Sequence, residues 1–77
     1  MTEDNNLKQQ KIQMWKQKLT KLQKELDEIM VKRGEAMAMG DLRENAAFQM
    51  ADEDAATWRV RMDEVKKILR DLGEEVD

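Results

Sequence analysis

A chain of 77 residues that is 40% charged and 40% hydrophobic cannot both bury a core and wall off an enclosed pocket, which excludes a self-contained enzyme of ordinary architecture. With no Cys and no His it has no disulfide framework, zinc site, thiol nucleophile or imidazole base, so carboxylates are its only candidate metal ligands. A net charge of −3 without a recognisable reading module argues against specific DNA binding.

No Pro, three Gly and an abundance of Lys, Glu, Gln, Leu, Met and Ala predict an all-α chain. Residues 1–6 are polar and are expected to form a disordered tail, with the folded unit over 7–77. The opening Met1-Thr2-Glu3-Asp4-Asn5 lacks the cationic flank and apolar stretch of a signal peptide. No apolar run of ~18 residues is present, so no membrane span is expected and the expected location is cytoplasmic.

The first helix is predicted over about 8–38. Its apolar residues Ile12, Trp15, Leu19, Leu22, Leu26 and Ile29 are separated by steps of 3, 4, 3, 4, 3, the seam of a coiled coil. Six Lys and no acid lie between Lys8 and Lys24. A solvated helix face is the favoured reading of that run, since a nucleic-acid stacking platform needs a series of aromatics among its cations. Gly34 interrupts the helix interior at a cost of about 1 kcal/mol relative to Ala.

The break falls at Gly40, which can take the left-handed conformation that ends a helix. Asp41 then reads as the N-cap of the second helix, with Glu44 in the third position completing an acidic capping box. That helix is predicted over about 42–76. Phe48, Ala51, Ala55, Trp58, Met62, Val65, Leu69, Leu72 and Val76 continue the alternation of 3 and 4. So short a connection between two heptad helices implies an antiparallel hairpin. Folding at Gly40 brings Leu26 and Ile29 near Ala55 and Trp58, Leu19 near Val65, and Trp15 near Leu69. Small Ala51 and Ala55 imply a hairpin pinched at its bend. The methionines read mostly as seam fillers, with Met37, Met39 and Met50 clustered at the tip as an adaptable contact surface. A single seam gives marginal stability, so weak homo-oligomerisation or reliance on a partner is expected.

Asp41 and Glu44, three residues apart, would share one helix face. Two readings remain open on spacing alone. Both acids could simply cap the second helix and favour its dipole, or they could offer oxygens to Mg²⁺, an ion that two acids alone would bind weakly.

The run Gly40-Asp41-Leu42-Arg43-Glu44-Asn45-Ala46 between two long heptad helices resembles the tip signature of the bacterial transcript cleavage factors GreA and GreB. The resemblance implies an antiparallel coiled-coil domain that enters the secondary channel of a backtracked RNA polymerase. There Asp41 and Glu44 would help hold a catalytic Mg²⁺ shared with the polymerase, whose own site hydrolyses the RNA; the factor itself would not be an enzyme and would carry no cofactor in isolation. Gly40, Leu42, Arg43, Asn45 and Phe48 would contact the polymerase or the nascent RNA 3′ end. Four positions depart from the pattern. Ala47 and Phe48 stand where the family usually has Glu and Tyr, and Met37 and Asp52 stand where basic residues often flank the tip, which weakens the expected grip on RNA. In the family a globular domain follows the hairpin and anchors it, so the hairpin alone is expected to bind weakly. Alternatives are a channel-occupying regulator that does not stimulate cleavage, and a coiled-coil adaptor with no transcription role.

Overall fold

The computed structural model describes residues 2–76, with side chains from Asn5 to Val76, and contains two helices, α1 (Thr2–Met37) and α2 (Ala46–Asp71). Arg33 meets Asp52 near the bend while Lys16 meets Glu74 toward the open end, so the helices run antiparallel. The 36 residues of α1 set the length of a rod measuring 59 × 16 × 16 Å. At a rise of 1.5 Å per residue such a helix alone spans roughly 54 Å.

The 3–4 alternation translates directly into packing. Ile12, Leu22 and Leu26 of α1 interlock with Ala55, Met62, Val65 and Leu69 of α2, and Trp15, Leu19, Ile29, Trp58, Leu72 and Val76 pack half-buried against them. Ala55 and Leu69 are fully buried. Toward the bend the seam narrows to small residues. Ala51 is buried there as predicted, and Ala36 joins it from α1. Among the described residues no polar or charged residue is buried, so apolar contact along this single stripe is what holds the helices together. No helix of the described residues is long and apolar enough to cross a membrane.

Several boundaries differ from the sequence expectations. Thr2–Asn6 belong to α1 rather than to a tail, because no Gly or Pro separates them from the heptad region; Met1 and Asp77 lie outside the described residues. At the other end α2 stops at Asp71, short of 76. Gly73, with φ 92°, forms a Schellman cap: its N–H donates to the Arg70 carbonyl at 2.9 Å, and the Glu74 N–H donates to the Leu69 carbonyl at 2.9 Å. Val76 still covers the core, but from beyond the helix end. Among the methionines, Met62 is buried and Met30 packs on the core, while Met37, Met39 and Met50 are exposed at the tip as expected; Met14, also exposed, departs from the seam-filler reading.

Candidate functional site

The tip is built by the way α1 ends. Beyond Gly34 the helical ladder tightens: Met39 N–H donates to the Ala36 carbonyl at 3.0 Å and Gly40 N–H to the Met37 carbonyl at 3.5 Å. Gly40 then reverses the chain at φ 127°, a conformation that side-chain-bearing residues rarely adopt.

The next turn is made by Asp41, but not as a helix cap. Its Oδ1 accepts the Arg43 N–H at 2.9 Å, an Asx-type turn two residues long. The capping-box expectation is thereby corrected. Residues 41–45 are loop, α2 starts at Ala46 instead of 42, and its N-cap is Asn45, whose Oδ1 accepts the Phe48 N–H at 3.0 Å. Asp41 and Glu44 therefore do not share a helix face. They nevertheless line one exposed hollow at the end of the rod, together with Met39, Asn45 and Ala46.

Two amide side chains hold this loop. Asn45 Nδ2 donates to the Ala36 carbonyl at 2.6 Å, tying the start of α2 to the end of α1. Gln49 Nε2 donates to the Arg43 carbonyl at 2.9 Å, pinning the backbone between the two acids. Nothing in the sequence marks Gln49 for this role, since it belongs to neither the seam nor the tip motif.

Charge at the tip is mostly open to solvent. The Arg43 guanidinium lies 3.7 Å from Asp41 Oδ1 but is 91% exposed, so water screens the pair and it contributes little. Glu44 has no ion-pair partner among the described residues. Leu42, Met37, Met39 and Met50 give the tip an exposed apolar rim. Phe48 is half-buried, with the Arg33 guanidinium 4.8 Å from its ring centre, and Arg33 in turn is bonded to Asp52 at 2.8 Å. One face of the Phe48 ring is thus already occupied by this chain.

The described residues contain no group of three or more acids able to hold a metal by themselves. Asp41 and Glu44 are both exposed and line the same hollow; two carboxylates make at most a partial oxygen set for Mg²⁺, and the remaining octahedral positions would have to come from elsewhere.

The family model for the N-terminal domain of transcription elongation factors GreA and GreB matches residues 5–72. The chain belongs to this family. Neither a curated protein nor a solved structure matches it. The Gre hairpin described here is accordingly a transcription elongation factor domain, and interaction with RNA polymerase follows in general terms from the family. An adaptor role unconnected with transcription is set aside on the same ground.

Proposed function

We propose that this Gre hairpin enters the secondary channel of a backtracked RNA polymerase and presents Asp41 and Glu44 to the catalytic centre, stimulating the polymerase's own hydrolysis of the RNA. The observation that carries this reading is that Asp41 and Glu44, both exposed, line one open hollow at the end of a rod 59 Å long and 16 Å across. A shape of that kind can pass along a narrow channel, and carboxylates at its end reach furthest.

Within the polymerase, Asp41 and Glu44 would act as oxygen donors and orienters of water, with the loop between Gly40 and Asn45 as their holder. Mg²⁺ held by these oxygens together with the polymerase would supply charge neutralisation at the scissile phosphate and a more acidic bound water. Leu42 and the tip methionines offer adaptable apolar contact to the channel wall, and the exposed Arg43 is a cation placed to meet an RNA phosphate. The hairpin contributes ligands and position, while bond cleavage belongs to the polymerase.

A stalled, backtracked complex incubated with Mg²⁺ and the hairpin should release short 3′ RNA fragments. A variant carrying both Asp41→Ala and Glu44→Ala should bind without stimulating release; stimulation equal to the parent's would refute the ligand-donor role. One observation favours a second reading. Arg33 is engaged by Asp52, so one of the cations flanking the tip is already paired within the chain, as suits an occupant of the channel that slows nucleotide addition without promoting cleavage. That occupant would compete with a full-length cleavage factor while releasing no fragments.

A further inference from the structure

Asn45 does two things with one side chain. Its Oδ1 caps α2 by accepting the Phe48 N–H at 3.0 Å, and its Nδ2 donates to the Ala36 carbonyl at 2.6 Å. Ala36 is 4% exposed and sits in the seam, so the carbonyl that receives Nδ2 belongs to a well-packed part of α1. The intervening loop carries both acids and has few other anchors: the Asp41 turn onto the Arg43 N–H at 2.9 Å and the Gln49 amide on the Arg43 carbonyl at 2.9 Å. Neither of these reaches α1. Asn45 alone among them links the loop's far end to the helix that delivers it.

We propose that Asn45 is a positioning residue: by bonding the last buried turn of α1 to the first turn of α2, it sets where Asp41 and Glu44 point. This rests on the reading of those acids as donors within the polymerase, and it adds a residue whose role is geometric. An Asp in the same place could cap the helix but has no N–H for the Ala36 carbonyl, and a Ser could cap it but is too short to span the gap. The Asn amide supplies acceptor and donor on two separate atoms, each at the reach its partner requires.

The test uses Asn45→Ser, which keeps a capping oxygen and removes the cross-link, beside Asn45→Ala, which removes both. The Ser variant should keep the parent's helicity by circular dichroism. NMR relaxation of the amides of residues 41–44 should show increased fast motion, with α1 and α2 unchanged. In backtracked complexes its maximal stimulation of cleavage should fall roughly ten-fold, since misplacement of a positioned group by an ångström is costly, while the concentration giving half-maximal effect stays within about two-fold of the parent's. The Ala variant should lose helicity at the start of α2 as well. Unchanged loop motion in the Ser variant would overturn the proposal, as would parental stimulation by it. If the parent itself stimulates nothing, the donor reading fails, and the relaxation measurement still decides whether Asn45 orders the loop.

Discussion

Arg33 Nε lies 2.8 Å from Asp52 Oδ1, and the same guanidinium covers the Phe48 ring with its central carbon 4.8 Å from the ring centre. Arg33 continues the α1 seam, four residues after Ile29 and three before Ala36. A charged residue thus occupies a position that the heptad reserves for an apolar one; its side chain is only 29% exposed and its head bridges to α2.

Replacing Arg33 should therefore separate packing from charge. Arg33→Met retains the stem and is expected to lose about 1 kcal/mol, from the half-exposed ion pair and the cation–π contact. Arg33→Ala should lose more. A double-mutant cycle with Asp52→Ala, followed by urea denaturation, would isolate the pairwise part, which should shrink as salt is raised. A coupling near zero at low salt would show that Asp52 is a bystander.

The two glycines Gly34 and Gly73 predict opposite responses to the same substitution. Gly34 is helical, and a Cβ built there meets nothing within 4 Å. Gly34→Ala should stabilise the hairpin by about 0.5–1 kcal/mol, chiefly by restricting the unfolded chain. At Gly73 the φ of 92° is intrinsic to the Schellman cap. There Ala should destabilise by about 1 kcal/mol and fray the end of α2. Thermal unfolding followed by far-UV circular dichroism checks both; a common sign would contradict the assigned conformations.

Why the seam was readable and the tip was not follows from which forces shape each. From Ile12 to Ile29 and from Ala51 to Leu72, burial follows a period of 3.5, and period is a property of the one-dimensional string. By residue type alone Asp41 and Asn45 are equally good N-caps, so the sequence does not fix where α2 starts. What selects Asn45 is the Ala36 carbonyl, which only the folded hairpin brings within 2.6 Å. Asp41 is left to turn the loop through the Arg43 N–H. Likewise Val76 keeps the heptad spacing, yet Gly73 ends the helix first, so spacing alone overran the boundary. The α1 seam could have been followed further, since steps of 4 and 3 beyond Ile29 land on Arg33 and Ala36; the charge on Arg33 hid the continuation. At the site, both acids were legible as residues, while their shared hollow depends on a loop that sequence patterning had placed inside a helix.

Leu69 measures how much the single stripe carries. It is fully buried among Ile12, Met62 and Val65 in the core cluster. Leu69→Ala should cost about 2–4 kcal/mol, a large share of the stability of a two-helix fold. The variant should therefore lose most of its helicity at temperatures where the parent is folded, and adding the family's polymerase should restore it if binding selects the hairpin. Exposed Val60→Ala, by contrast, should change the midpoint little.

Asp41 combines a backbone role with its charge, and the two can be separated. Asp41→Asn keeps an oxygen for the Arg43 N–H, which the parent accepts at 2.9 Å, but removes the negative charge. Asp41→Ala removes both. If the carboxylate acts as a metal-directed donor, the Asn variant should retain the parent's loop and helicity yet stimulate cleavage at least ten-fold less, as is common when one preorganised charged group is removed from a reacting centre. Part of that loss should return at higher Mg²⁺, because weakened ion binding can be offset by mass action. If the turn were all that mattered, the Asn variant would match the parent at every Mg²⁺ concentration and only the Ala variant would fail. Cleavage rate against Mg²⁺ concentration for the three proteins distinguishes the cases, since a turn defect lowers the plateau without shifting the midpoint while a donor defect shifts the midpoint.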